Sequence, residues 1–309
     1  MPDVFAYSVA EADSLATVRA AMASPINFGD TAASYGDGES ERRIGKVVGE
    51  LGGLPDGYVL ATKADRDLST GDFSGEAINR SVERSLRLLG LDRLQLVHLH
   101  DPEHSTFNEV MAPGGPVDVL NRFKEAGVIG HLGVAGGPVD LMMRYVETGA
   151  FEAVITHNRY TLLNRSATEL IDMAAQRGLA VINAAPYGSG ILARGPAAYP
   201  RYAYQNASRQ LVERTGELAA ICAGHGVPLA AAALQFSLRN AHITATIVGA
   251  SQPQRIARTL ELAACQIPEA LWDDLHRVPV AMDDPEVGRF GEDGRASRAG
   301  RRGRGSADD

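Results

Sequence analysis

Cysteine is scarce in this chain: Cys222 and Cys265 are the only two among 309 residues, and they lie far apart without metal-type spacing. Such scarcity argues against a disulfide framework and against a thiolate metal cluster. It is typical of proteins from a reducing compartment. We therefore expect a cytoplasmic protein.

Clustered positive charge and long apolar runs are also missing. The formal net charge is −8, and the patterned region offers no basic face, which argues against nucleic-acid binding. No apolar run approaches the roughly 20 residues of a membrane span. No charged-then-apolar leader stands at the N-terminus. These absences argue against a nucleic-acid or membrane partner.

Short β-branched runs alternate with longer segments of helical periodicity, a pattern typical of a parallel sheet with crossover helices. The predicted strands are 26–32, 58–63, 94–100, 131–136, 153–158, 180–186 and 244–250. The predicted helices include 118–126, 138–148, 167–177, 208–225, 228–238 and 253–263.

The segment between the second and third strands predicts a helix most clearly. Ser74 can cap its start and Gly90 can end it. Between them an apolar stripe recurs at helical spacing, formed by Ile78, Val82, Leu86 and Leu89. Repeated strand-then-helix units of this size predict a (β/α)8 TIM barrel.

Only seven strands are evident, so the barrel is expected with its first strand missing or degenerate. Residues 1–22 run almost directly into a helix, and only FAYS, residues 5–8, offers a short substitute. An open seam exposes strand edges, which favours association of copies of the chain. Residues 1–283 are assigned to the barrel domain. Residues 284–309, rich in arginine and glycine, are assigned to a disordered tail.

Four polar residues fall where three predicted strands end: Asp30, Tyr35, Lys63 and His100. The strand ends of a barrel share one mouth, where the chemistry of such folds gathers. A tyrosine titrates near ~10 and donates poorly at neutral pH unless a cation lowers its pKa; Lys63, held by Asp30, is the candidate cation. His100 would hydrogen-bond a substrate oxygen. This group handles protons but carries no hydride, so redox chemistry requires a nicotinamide.

His98 and His100 form an H-x-H pair on one strand face, which is also a metal-ligand pattern in barrel hydrolases. His157 ends another strand, and Lys63 resembles a bridging lysine. The last strand offers TIVGAS where such sites need an aspartate. A metal-dependent hydrolase is therefore the weaker alternative, and His98 is expected to be an interior residue with a hydrogen-bonded nitrogen.

Several motifs resemble the aldo-keto reductase superfamily: DTAASYGDGESERRIG, the lysine ending VLATK, HDPE, RYTLL and VGASQPQRIA. The segments HDPE, NRYTLLNRSA, SGILARGPAAYPRYAY and AAALQFSLRNAHITATIVGA further resemble the dehydrogenases of L-fucose, D-threo-aldoses and L-galactose, and the pyridoxal 4-dehydrogenases. The resemblance implies a catalytic tetrad of Asp30, Tyr35, Lys63 and His100, and an aldehyde or sugar substrate. Tyr35 would be the general acid in reduction and the general base in oxidation.

The resemblance also places a dinucleotide over the barrel mouth. It implies cofactor contacts at Asn158, Gly188, Ser189, Gly190, Leu192, Gly249, Ala250, Ser251 and Arg255. The amides of residues 249–251 suit a phosphate near a helix start. Arg255 matches an arginine that contacts the adenosine 2′-phosphate in NADP-dependent relatives, whereas Gly249 replaces a lysine often found nearby. We expect NADP or NAD, with a slight preference for NADP.

Other positions depart from the superfamily pattern. Ala135 and Gly136 replace a Ser-Asn pair that touches the nicotinamide amide, and Ala184 replaces a stacking tyrosine for which Tyr187 is a nearby substitute. Arg159 offers a guanidinium to the carboxamide or the substrate. The candidate pocket aromatics are Phe107, Tyr199, Tyr202 and Tyr204. A non-catalytic nicotinamide-binding module on the same fold is the second alternative.

Overall fold

The computed structural model describes residues 9–286, and seven parallel strands in it form one sheet curved into a nearly closed barrel. In chain order these strands are β1 Phe28–Asp30, β2 Val59–Ala64, β3 Leu94–His100, β4 Ile129–Ala135, β5 Ala153–His157, β6 Ala180–Ala184 and β9 Ala245–Ile247. A separate two-stranded hairpin is formed by β7 Arg201–Tyr202 and β8 Gln205–Asn206. All seven predicted strands are confirmed.

The barrel has a seam between its first and last strands. The sheet order is β1-β2-β3-β4-β5-β6-β9, so β1 and β9 are not hydrogen-bonded neighbours, although their Cα atoms approach within 8 Å. Among the described residues no strand precedes β1, and the expected barrel with its first strand missing or degenerate is confirmed as a nearly closed barrel of seven strands. The substitute strand considered at residues 5–8 lies outside the described part.

Twelve α-helices are described between and after the strands. They are α1 Glu11–Met22, α2 Glu39–Leu51, α3 Gly75–Leu89, α4 Phe107–Met111, α5 Pro116–Glu125, α6 Val139–Glu147, α7 Thr168–Gln176, α8 Ile191–Arg194, α9 Arg209–Gly224, α10 Leu229–Leu238, α11 Pro253–Ala264 and α12 Glu269–His276. Short 3-10 helices occupy Pro102–His104 and Gly188–Gly190. Helix α1 packs against both α2 and α11, so it bridges the seam from outside.

The helix predicted between the second and third strands begins and ends as its sequence indicates. The Ser74 side chain accepts a hydrogen bond from the Ala77 amide, which satisfies one of the free donors of the first turn. Gly90 ends α3 in the left-handed conformation, at a φ of 66°, where a Cβ would be strained. Ile78 and Val82 are buried against the barrel, as the stripe requires.

The barrel interior holds one buried histidine. His98 lies opposite Gly133 on β4, where any Cβ would come within 2.1 Å of the imidazole Nδ1, so glycine makes room for the ring. Burial holds the pKa of His98 well below its usual value, and Lys63 and His100 act in the same direction. Neither ring nitrogen has a hydrogen-bond partner within the described residues. The expected interior location is confirmed, but the expected hydrogen bond is wrong.

The C-terminal end of the described chain runs back over the barrel. Ala281 exchanges backbone hydrogen bonds with Leu163 and Arg165, and Asp284 and Glu286 contact Arg159. The predicted tail from residue 284 therefore begins with residues that have defined contacts, and 287–309 lie outside the described part. Over residues 9–286 no single helix is long and apolar enough to span a membrane; α9 and α10, bent by 97° at their junction, meet that test only as a pair.

Candidate active site

Strand ends bring the four predicted catalytic residues together at the carboxyl-terminal mouth of the barrel. Asp30 is the last residue of β1, Lys63 lies near the end of β2, and His100 is the last residue of β3. Tyr35 lies in the loop between β1 and α2. Its ring meets the His100 ring edge-on, with 6.0 Å between centroids.

The ammonium of Lys63 joins this group through three contacts. It donates to the carboxylate of Asp30, to the carbonyl oxygen of Thr31 at 2.8 Å and to the hydroxyl oxygen of Tyr35 at 3.2 Å. An ammonium has three donors, so each has an acceptor. Burial lowers the pKa of Lys63, but Asp30 and Tyr35 outweigh it and the net pKa is raised. Lys63 therefore stays charged at neutral pH.

The pKa of Tyr35 results from opposing influences. Burial raises it, the nearby Lys63 ammonium lowers it, and Asp30 raises it again, which leaves the pKa above the usual 10.0. Lys63 acts in the predicted direction, but the predicted net lowering is wrong because loss of hydration outweighs one cation. Tyr35 keeps its proton at neutral pH and can give it to an oxygen placed against it.

An additional acid that the sequence analysis missed holds His100. Asp65, which directly follows β2, places Oδ1 2.6 Å from Nδ1 of His100, while its Oδ2 accepts the Ser34 amide at 2.9 Å. Burial lowers the pKa of His100, but Asp101 and Asp65 outweigh it and raise the pKa to about 9. The sequence did carry a signal for this residue. Side chains alternate between the two faces of a strand, so Asp65, two positions after Lys63, lies on the same face as Lys63.

The predicted cofactor contacts after β5 and β6 lie close together. Asn158 is buried in a left-handed conformation, at a φ of 58°, and its Oδ1 accepts a hydrogen bond from Ser189 Oγ at 3.3 Å. Ser189 belongs to the 3-10 turn Gly188–Gly190. At Gly188 a Cβ would lie 2.4 Å from the ring of Tyr202. The side chain of Leu192, in contrast, is buried in the hydrophobic cluster beneath this turn.

The remaining predicted contacts lie after the last strand. Gly249, Ala250 and Ser251 connect β9 to α11, and Arg255 is in the first turn of that helix. Burial raises the pKa of Tyr187 to about 12, against the opposing charges of Arg258 and Arg255. The buried Tyr187 hydroxyl has no hydrogen-bond partner in the described part of the chain.

Arg159 is not available to a ligand, contrary to the expectation from sequence. Its guanidinium is completely buried, binds Asp284 through Nε and Nη2 at 2.9 and 2.7 Å, and reaches Glu286 through Nη1 at 3.0 Å. Burial lowers the pKa of Arg159, but the two carboxylates raise it by more, so the net pKa is raised. Arg159 therefore binds the C-terminal segment of the described chain, at Asp284 and Glu286, beside the mouth.

The candidate pocket aromatics occupy different environments. Tyr204, on the β7–β8 turn, lies beside the mouth, with its ring centroid 6.1 Å from that of His157 and its amide bonded to Ser189 Oγ. Tyr202 is buried and donates to the carbonyl oxygen of Asn158 at 2.5 Å. Phe107 packs on Tyr145 in the main core. Of these, Tyr204 is placed to contact a ligand in the mouth.

The metal-hydrolase alternative finds no geometric support. Between residues 9 and 286, no three His, Cys, Asp or Glu side chains are arranged to hold a metal ion. His98 points into the barrel beside Gly133, and His100 is bonded to Asp65. The H-x-H pattern therefore reflects an interior residue followed by a mouth residue.

Comparison with known proteins agrees with this geometry. The D-threo-aldose 1-dehydrogenase of Pseudomonas sp. is 32% identical over 87% of this chain and 88% of its own length. The L-galactose dehydrogenase of Arabidopsis thaliana is 31% identical over 80% of this chain and 77% of its own. The holo form of an aldo-keto reductase from Bacillus halodurans shares the fold, with a TM-score of 0.75 at 19% identity over 92% of this chain and 93% of its own.

The expected superfamily and its sugar-dehydrogenase branch are thereby confirmed. Residues 6–278 match the aldo/keto reductase family, which is most of the chain. The chain belongs to the aldo/keto reductase family and is an NAD(P)-dependent oxidoreductase.

Proposed function

We propose that the enzyme transfers hydride between a nicotinamide and the carbonyl or hemiacetal carbon of an aldose or aldehyde, with Tyr35 as general acid and base. The observation that carries this proposal is the contact of one buried ammonium, Lys63, with both Asp30 and the Tyr35 hydroxyl. The names of the similar dehydrogenases support an aldose as substrate.

The residues of the mouth divide the proton chemistry between them. Tyr35 places its Oη against the substrate oxygen and gives that oxygen a proton in reduction, or takes it in oxidation. The Lys63 ammonium, 3.2 Å from Oη, stabilises the phenolate that forms when the proton leaves. Asp30 holds the ammonium in place, and His100 bonds the same substrate oxygen from the other side. A bound nicotinamide supplies or accepts the hydride.

The second half of the mouth would hold the cofactor. Asn158 and Ser189 form a polar pair beside the catalytic group, suited to the nicotinamide end. The amides of residues 249–251, close to the start of α11, suit a phosphate. Arg255 adds a positive charge for a 2′-phosphate, so the preference is for NADP over NAD.

Replacing Tyr35 by Phe tests the assignment. Tyr35→Phe should bind cofactor with unchanged affinity but lose roughly 10²-fold or more in kcat, because only the exchanged proton is removed. Tyr58→Phe is the matched control, since Tyr58 is a buried tyrosine directly before β2, at the opposite end of that strand from Lys63. Near-wild-type turnover by Tyr35→Phe would refute the mechanism.

Substrate and cofactor are identified by a panel. Aldoses, pyridoxal and simple aldehydes are tested with NAD and NADP in both directions, with cofactor binding followed by quenching of nicotinamide fluorescence. The highest kcat/KM is expected for an aldose with NADP. Binding of cofactor without turnover of any compound would instead favour the non-catalytic nicotinamide-binding module.

A further inference from the structure

Both carboxylate oxygens and the backbone amide of Asp65 have hydrogen-bond partners among neighbouring residues. Its carboxylate is 2.6 Å from His100 Nδ1 through one oxygen and accepts the Ser34 amide through the other. Its own amide donates to Ser81 Oγ at 3.0 Å. The side chains of Asp65 and His100 are 5% and 13% exposed, so little water competes for the contact. Asp65 lies behind His100, away from the edge that faces a substrate.

This contact determines which ring nitrogen carries a proton. An ionised carboxylate has only acceptors, so Nδ1 of His100 must carry the hydrogen that they share. In a neutral imidazole the other nitrogen, Nε2, then has a lone pair and no hydrogen. Nε2 can donate to a substrate only when the ring is protonated.

The charged and titratable groups around His100 come from three neighbouring strand ends. They are Asp65 and Lys63 from β2, Asp101, Glu103 and His98 from β3 and the segment after it, and Tyr35 from the loop after β1. Asp101 Oδ1 lies 3.5 Å from Nε2, on the opposite side of the ring from Asp65. The two aspartates outweigh Lys63 and the loss of hydration, and the pKa of His100 rises to about 9.

We propose that Asp65 is a positioning residue that fixes the tautomer and orientation of His100, so that Nε2 donates to a substrate carbonyl only while the imidazole is protonated. The proposal rests on the proposed function, in which His100 contacts the substrate oxygen. A carbonyl oxygen requires a donor, and Nε2 is a donor only in the protonated ring. The protonated ring therefore suits reduction, whereas in oxidation the single hydrogen of the substrate hydroxyl goes to Tyr35.

The first experiment measures His100 directly, without turnover. Long-range proton–nitrogen NMR of ¹⁵N-labelled enzyme, with His100→Gln used for assignment, should show a protonated Nδ1 throughout and a titration of Nε2 near pH 9. In Asp65→Asn the titration midpoint should fall by at least about one pH unit, because a charge has been removed at hydrogen-bond distance. Asp56→Asn removes the same charge from an exposed turn before β2 and should leave the midpoint unchanged.

Two outcomes would overturn the proposal: a neutral His100 with its proton on Nε2, or a midpoint unchanged in Asp65→Asn. The tautomer is measured on the wild-type enzyme, so the test stands even if Asp65→Asn folds poorly. Asp65→Glu, which keeps the charge, should titrate closer to wild type than Asp65→Asn.

The second experiment reads the pH profile of catalysis. In the wild-type enzyme, kcat for carbonyl reduction should fall at high pH. In Asp65→Asn this fall should occur at lower pH, with unchanged cofactor affinity. A merely structural role would lower kcat at every pH and leave the pH of this fall unchanged. The NMR result does not depend on Tyr35, and the Tyr35→Phe result does not depend on the His100 tautomer, so each can fail without the other.

Discussion

Lys63 Nζ lies 3.2 Å from Tyr35 Oη and also pairs with Asp30, so one buried ammonium contacts both a carboxylate and the hydroxyl that we propose exchanges the proton. Burial makes both Lys63 and Asp30 costly as charges, and their pairing offsets part of that cost. The stability of the mouth and its chemistry therefore depend on the same ion pair.

Removal of the Lys63 charge should destabilise the protein. In Lys63→Met the Asp30 carboxylate, whose side chain is only 6% exposed, loses its counter-charge, and breaking a buried pair in this way costs about 3–5 kcal/mol. The free energy of unfolding in urea measures the loss. Adding Asp30→Asn should recover part of it, because the unpaired charge is then gone.

An exposed lysine provides the control for this prediction. Lys46 pairs with Glu11 at 3.3 Å, and their side chains are 50% and 41% exposed. Lys46→Met should change the free energy of unfolding by less than about 1 kcal/mol, as surface pairs usually do. Equal losses in Lys63→Met and Lys46→Met would show that burial of the catalytic pair does not matter for stability.

Arg255 should discriminate between the two cofactors. Its positive charge in the first turn of α11 is expected to meet the 2′-phosphate, which NAD lacks. Arg255→Ala should raise KM for NADP at least about tenfold, equivalent to about 1.4 kcal/mol, and change KM for NAD by no more than about twofold.

Arg258 on the same helix provides a comparison. It is paired with Glu261 at 2.8 Å, so part of its charge is already neutralised. Arg258→Ala should raise KM for NADP by less than Arg255→Ala does. If Arg255→Ala weakened both cofactors equally, Arg255 would not read the 2′-phosphate, and the preference for NADP would be withdrawn.

Local patterns predicted the parts of this protein that depend on neighbouring residues. Seven strands and helix α3 followed from β-branched runs, an apolar stripe and caps that all lie within one segment. The grouping of Asp30, Tyr35, Lys63 and His100 followed from strand ends, because a parallel barrel brings all of them to one mouth. Helices α2, α4, α8 and α12 were not predicted, although Ile44, Val47 and Val48 of α2 recur at helical spacing.

The errors concern contacts between distant parts of the chain. Arg159 was predicted to contact a ligand, but its carboxylate partners lie 125 and 127 positions away in the chain. No neighbouring residue in the sequence indicates these partners. Asp65 was missed because one acid after a strand has the same pattern as a turn residue. The net pKa of Tyr35 was misjudged because its sign depends on how deeply the ring is buried, which the sequence does not state.

The pairing of His100 should also appear in the pH dependence of stability. Its folded pKa of about 9 lies above the ordinary 6.5, so the stabilisation is fully present below about pH 6.5 and is lost as pH rises through about 9. The upper bound is about 3.5 kcal/mol, from roughly 1.4 kcal/mol per pKa unit over the rise from 6.5 to about 9. The measurement is the free energy of unfolding at pH 6 and pH 9.5 for wild type and for His100→Gln, which cannot titrate. Both proteins keep Glu103, whose pKa burial raises to about 8 and whose effect on stability has the same sign. Because the His100 charge also acts on Glu103 and Asp101, the difference between the two slopes measures His100 together with this coupling, and parallel slopes would show that its charge is not stabilised by the fold.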